Sequence, residues 1–222
     1  MRSDGKVAGA ESVAGVQRSR RDEDRSRARL ERTREEELIR QCLDGDTESF
    51  RPLVDRYSPS LHSFVVRYVG NRDEARDIVQ EAFLRAYRAL ADFDRRYRFS
   101  TWLYRIALNL CRDHHKRHGR GHVLLGFDQY IEDEPLDDPI EQRVDDRRRC
   151  EAALVLARSL PAKYRDPLLL KDVERMDYKR MSRVTGLSVG LLKIRVMRAR
   201  RKLAGVMQHH GLAPGNDDEP TG

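Results

Sequence analysis

The sequence predicts an all-α protein: two small helical domains joined by a flexible acidic linker, the C-terminal domain carrying a helix-turn-helix. Three observations predict it. Apolar residues recur at i, i+3, i+4 spacing through most of the chain, the mark of amphipathic helices. No stretch alternates apolar and polar for long enough to make a strand. Gly119, Gly121, Gly126, Pro135 and Pro139 interrupt the helical pattern beside a dense run of acids, a composition that reads as linker.

Taken in order, residues 1–34 hold Ser, Arg, Gly and acids with little apolar area to offset ordering entropy, so a disordered basic extension is expected. The first domain is placed at 35–118. Leu38, Ile39, Cys42 and Leu43 share one helical face, and Phe50, Leu53, Val54, Tyr57, Leu61, Phe64, Val65 and Tyr68 carry the pattern to a break at Gly70-Asn71. Ala75, Ile78, Val79, Ala82, Phe83, Ala86, Tyr87 and Leu90 form the next stripe, with Asn71 and Glu74 spaced as a capping box. Trp102, Leu103, Ile106, Ala107, Leu110 and Cys111 follow the capping candidates Ser100 and Thr101. The linker is placed at 119–148 and the second domain at 149–208. There Pro167 predicts a helix restart with Asp166 as cap. Residues 209–222 are expected to be a disordered tail.

The chain has 222 residues, 39% hydrophobic and 36% charged, with a net charge of +7 and a mean hydropathy of −0.77. That suffices for one or two small cores and argues against disorder throughout. No apolar run nears the roughly 20 residues that cross a bilayer, and the charged N-terminus lacks a signal-like apolar segment. Cys42, Cys111 and Cys150 lie far apart with no CxxC spacing. The expectation is a cytoplasmic protein without membrane insertion, metal or redox chemistry.

Charge is segregated. Residues 95–122 hold eight basic side chains and one acid; 126–146 hold nine acids and one Arg; 151–210 hold fourteen basic and five acidic. Two basic blocks on either side of an acidic stretch point to a polyanion gripped at two places. In 177–203, a short helix with Met181 and Val184 ends at Gly186, which can take the positive φ of a tight turn, and Ser188 is a good N-cap for the next helix. Leu192, Val196, Ala199 and Leu203 make that helix's inner face. Lys193, Arg195, Arg198, Arg200, Arg201 and Lys202 populate the rest, the division a major-groove helix needs. No metal-spaced His/Cys cluster, phosphate-cradling Gly loop or nucleophile elbow is found. No cofactor and no enzymatic activity are expected.

These residues carry a resemblance. DIVQEAFLRAYRAL (77–90), STWLYRIALNLCRDHHKR (100–117), Gly45-Asp46 with Phe50 and Leu53, and 177–203 stand in the order of an extracytoplasmic-function (group IV) sigma factor of the sigma-70 family. The resemblance implies a transcription initiation factor that binds core RNA polymerase and directs it to promoters. It further implies core binding through Asp77, Gln80 and Glu81. The −10 element, as melted non-template strand, falls to Asp94, Arg95, Arg96, Tyr97, Arg98 and Asn109. The −35 duplex falls to Lys171, Lys193, Arg195, Met197 and Arg198. An anti-sigma factor is a further implied partner. The loop after Phe93 is more basic than is usual in the family. Leu191 and Ile194 stand where polar residues are commoner, which favours contact with a thymine methyl. The alternative is a free-standing helix-turn-helix regulator that binds duplex DNA without polymerase.

Overall fold

The computed structural model describes residues 8–118, 140–210 and 212. Eight α-helices are present among them: α1 (Ala8–Leu43), α2 (Arg51–Val69), α3 (Arg72–Arg88), α4 (Phe99–His118), α5 (Ile140–Ser159), α6 (Ala162–Leu168), α7 (Tyr178–Thr185) and α8 (Val189–His209). Short 3₁₀ turns at Thr47–Phe50 and Leu90–Asp92 and a π-helical turn at Leu169–Val173 complete the backbone, and no described residue lies in a strand. By packing, the chain forms two compact units that interleave in sequence: Met1–Arg56 with Leu90–Phe99, and Tyr57–Ala89 with Ser100–Gly222.

The first unit is organised by the turn that follows α1. Gly45 takes φ 102°, open to glycine and costly for other residues. Asp46 then accepts from the Glu48 amide and the Ser49 hydroxyl, starting the 3₁₀ turn. Ile39, Cys42, Phe50, Leu53, Leu90, Phe93 and Phe99 are buried. Phe99 meets Phe50 and Phe93 edge-to-face, with ring centroids 6.2 and 5.8 Å apart, a favoured aromatic arrangement.

In the second unit α3 buries the expected stripe, Ala75, Ile78, Val79, Ala82, Phe83 and Ala86. The Asn71 side chain accepts from the Asp73 and Glu74 amides, at 2.8 and 3.1 Å, so Asn71 is the N-cap. Further along, α6 packs on α8, and α5 and α7 also pack on α8. Leu168, Leu169, Leu170, Met176, Met181, Val184, Leu192, Val196 and Ala199 are buried there.

Four expectations differ from the structure. Residues 8–34 are helical, not disordered: α1 starts at Ala8. Its Arg, Glu and Ala content favours helix, and pairs such as Arg32–Glu36 at 2.8 Å support it at i,i+4. Residues 140–148, expected as linker, are helical, because α5 starts at Ile140; residues 119–139 of the expected linker lie outside the described residues. So do 211 and 213–222 of the expected tail. The helix before the π turn begins at Ala162, with Pro167 inside it. Pro167 offers no N–H to the turn before it, and the chain continues by widening into the π turn, where the Glu174 amide reaches the Leu169 carbonyl at 3.0 Å. Finally, α4 starts at Phe99 rather than after Ser100 and Thr101, and its cap comes from α1.

Candidate nucleic-acid interface

The polar side of α3 carries Asp77 and Gln80, both exposed, and Glu81, half-buried and paired with Arg85 at 2.7 Å. Leu84 and Tyr87 are exposed on the same helix, at 42% and 37%. Leu84 lies outside the apolar stripe of the sequence, and Tyr87, expected within that stripe, is exposed instead. An apolar side chain outside the buried stripe was the available signal for Leu84. Asp77 and Glu81 also line a groove of about 450 Å³ between α3 and α4, with Glu74, His114, Arg117 and His118. His114 Nε2 lies 3.3 Å from the Glu74 carboxylate. Burial pulls the His114 pKa below its ordinary value, while Glu74 opposes that shift.

The loop between Phe93 and Phe99 is built from its ends inward. Both Phe rings are buried and pack on each other. Asp94 accepts from the Arg96 amide at 3.0 Å and holds the Arg96 guanidinium with both carboxylate oxygens. This hydrogen bonding keeps the Asp94 carboxyl below its usual pKa. The Tyr97 amide closes a turn on the Asp94 carbonyl at 3.0 Å. Arg96 is thereby neutralised locally, whereas Arg95, Tyr97 and Arg98 are exposed. Cations beside an exposed ring suit an unpaired strand, whose phosphates and bases they can grip separately.

From α4, Asn109 is exposed and its side-chain oxygen accepts from Arg112 at 3.2 Å. Trp102 is half-buried. Tyr104 is buried, and its hydroxyl donates to Glu174 at 2.8 Å.

The helix-turn-helix has the expected local chemistry. Asp177 caps α7 through the Arg180 amide, Gly186 takes φ 75°, and Ser188 caps α8 through the Leu191 amide. Ser182 fastens the turn by donating to the Leu187 carbonyl at 2.6 Å. Leu192, Val196 and Ala199 face inward and Leu203 is half-buried. Lys193, Met197 and Arg198 are exposed and Arg195 is half-buried. Leu191 and Ile194 stand exposed beside them, at 38% and 45%, giving the exposed edge of the helix apolar as well as cationic groups. Arg200 forks onto Asp172 at 2.5 and 2.9 Å, tying α8 to the π turn. Lys171 sits elsewhere: its ammonium donates to the Met176 carbonyl at 3.2 Å and lies over the Tyr178 ring, so in this structure it braces the approach to α7.

A buried polar cluster has no counterpart in the sequence reading. Asp166, 2% exposed, accepts from the Tyr68 hydroxyl at 2.8 Å and from Arg112 Nε at 2.7 Å. Arg165, 1% exposed, donates to the Tyr68 oxygen at 2.7 Å and to the Arg158 carbonyl at 3.3 Å, with its guanidinium over the Tyr68 ring. Burial and the neighbouring Asp166 push the Tyr68 pKa upward, so it stays a hydroxyl. Nearby, Glu174 receives Tyr104 and lies 3.5 Å from Arg67; burial raises its carboxyl above the ordinary value.

Comparison with known proteins shows the family. The sigma-70 region 2 model matches residues 53–121, and the sigma-70, region 4 model matches residues 150–203. The RNA polymerase sigma-H factor of Pseudomonas aeruginosa is 32% identical over 186 residues, spanning 81% of this chain and 96% of that protein. The ECF RNA polymerase sigma factor SigW of Bacillus subtilis is 31% identical, over 74% and 92%. The ECF RNA polymerase sigma-E factor of Escherichia coli K12 is 31% identical, over 77% and 93%. Among solved structures, CnrH in complex with the cytosolic domain of CnrY has a TM-score of 0.58 at 24% identity, covering 79% of this chain and 98% of that one, a likeness of fold. The two family models, in chain order, and the identity to sigma factors over most of the sequence agree: the chain belongs to the extracytoplasmic-function branch of the sigma-70 family and is an RNA polymerase sigma factor, a transcription initiation factor.

Proposed function

We propose that this sigma factor divides promoter recognition between two surfaces suited to different forms of DNA. The exposed edge of α8 (Lys193, Met197, Arg198, with Arg195, Leu191 and Ile194 alongside) reads the −35 element as duplex, where Arg and Lys donate to guanine and apolar groups meet the thymine methyl. The loop Asp94–Arg98, with Asn109 on α4, takes the −10 element as a melted non-template strand. Asp77, Gln80 and Glu81, with Leu84, form the docking face for core RNA polymerase. Lys171 adds a phosphate contact on leaving the Met176 carbonyl. The chemistry of RNA synthesis belongs to the polymerase, and the protein acts in the cytoplasm without a cofactor. The relatives' solved complexes with CnrY and with the anti-sigma factor NepR support an anti-sigma partner here also.

The observation that carries this division is the loop held between buried Phe93 and Phe99 with Arg95, Tyr97 and Arg98 turned outward. A free-standing duplex-binding regulator has no use for a single-strand surface. The test is strand opening: with core polymerase, replacing Arg95, Tyr97 and Arg98 by Ala should abolish permanganate-reactive thymines at the −10 element while −35 protection persists. Loss of both together would refute the division.

A further inference from the structure

We infer that α1 acts as a brace for the strand-capturing loop, with Glu35 and Arg32 as positioning residues. The inference rests on the reading of residues 94–98 proposed above and extends it to a part of the chain that the promoter-reading residues leave out.

Glu35 lies 64 residues before the loop's end and is 7% exposed. Its Oε1 accepts the Phe99 amide at 3.0 Å, in buried surroundings. Phe99 opens α4, so this carboxylate satisfies one of the amides that a helix N-terminus leaves unpaired, where the helix dipole also favours negative charge. One turn earlier on the same face of α1, Arg32 donates to the Arg95 carbonyl at 3.3 Å while its Nε holds Glu36 at 2.8 Å. Beside it, Glu31 pairs with Arg56 at 2.8 Å, linking α1 to the start of α2. Buried Ile39 and Cys42 set the register of the helix from below.

The geometry is a two-point clamp. One bond holds the backbone near the loop's beginning, at Arg95, and the other holds it where the loop becomes α4, at Phe99. Between them stand Tyr97 and Arg98, exposed. A loop that must receive an unpaired base gains from being fixed beforehand, since each degree of freedom frozen on binding lowers affinity. The Asp94–Arg96 turn fixes the loop from within; α1 fixes it from outside. The stretch of α1 from Glu31 to Glu35 is thus a support element of the proposed −10 site.

The test uses the full chain assembled with core RNA polymerase and a promoter library randomised at the −10 element, with opening followed by permanganate reactivity. Glu35→Ala should slow opening about tenfold or more, the consequence of one buried hydrogen bond lost. It should also reorder the preferred −10 sequences, leaving −35 protection unchanged. Glu35→Gln keeps an acceptor oxygen and should restore both rate and order to within about threefold. Arg32→Ala, an exposed position that leaves folding intact, should move both readouts in the same direction by less.

A structural role alone would lower activity on every sequence alike. A uniform loss in Glu35→Ala, or wild-type opening and order in both Glu35→Ala and Arg32→Ala, overturns the brace. Arg95→Ala, Tyr97→Ala and Arg98→Ala run in parallel. If those three change opening while the α1 variants do not, only the brace fails. If the three are silent, the loop reading falls and the brace with it.

Discussion

Asp166→Ala should be among the most destabilising single substitutions in the second unit, and the reason lies in what it strands. The carboxylate is 2% exposed and holds Tyr68 and Arg112 at 2.8 and 2.7 Å. It lies 3.5 Å from Nε of Arg165, a nitrogen that is buried and finds no hydrogen bond. Removing the anion leaves the Arg165 cation, 1% exposed, without a counter-charge. Breaking a buried pair in this way costs about 3–5 kcal/mol. Tyr68→Phe removes one donor and one acceptor but no charge, and should cost about 1–3 kcal/mol. Arg112 retains 29% exposure of its side chain, so Arg112→Ala should cost about 1 kcal/mol or less. Because Tyr68 and Asp166 touch, the double variant should fall short of additivity by about 0.5–3 kcal/mol. Urea unfolding of the full chain, with midpoint and slope fitted together, measures all four. The cycle also has topological content. Tyr68 and Arg112 lie in the region 2 match, Arg165 and Asp166 in the region 4 match. An Asp166→Ala variant within about 0.5 kcal/mol of the parent, or strict additivity with Tyr68→Phe, would refute the packing described here.

Gly70→Ala should destabilise by more than about 1 kcal/mol, because φ is 89° and a Cβ would meet the Arg158 guanidinium at 2.5 Å; a thermal melt decides it. Burial holds the His115 pKa below its ordinary 6.5, helped by Arg165. The folded chain therefore binds fewer protons than the unfolded one; this contribution is complete above pH 6.5 and is lost as pH falls through the lowered value. His115→Gln should flatten the fall in urea midpoint over that window, and an unchanged slope would contradict the assignment. Lys193→Ala should weaken promoters in a sequence-dependent way worth about 1–3 kcal/mol at single −35 positions. Lys171→Ala should weaken all promoters alike; a promoter-library transcription profile separates the two. Charge reversal at Asp77 and Glu81 should reduce co-purification with core polymerase without lowering the melting temperature, since neither is buried.

What was legible in the sequence was what local chemistry determines. The α3 stripe and its Asn71 cap, the Gly186 turn, the Ser188 cap and the inner face of α8 all depend on residues within a few turns of one another. Side chains whose role is set by distant partners were not legible. Asp166 next to Pro167 looks like a cap, yet its carboxylate serves Tyr68, 98 residues away. Glu35 looks like one more surface acid on a charged helix, yet it is buried against the Phe99 amide. The helical N-terminal extension was hidden for another reason. Its sequence has no periodic apolar stripe to announce it, and Leu30 is 73% exposed, while its Arg, Glu and Ala content favours helix.

On the proposed division, this chain gives core polymerase the ability to find and open a promoter through two separate surfaces. Run-off transcription on a pool of genomic promoters, with purified core polymerase with and without the full chain, tests it most directly. Discrete transcripts are expected only when the protein is present, with Lys193→Ala altering which promoters are used and the Arg95, Tyr97 and Arg98 replacements abolishing opening at all of them. Tight, specific duplex binding by the protein alone, with no transcript gained on adding polymerase, would contradict it.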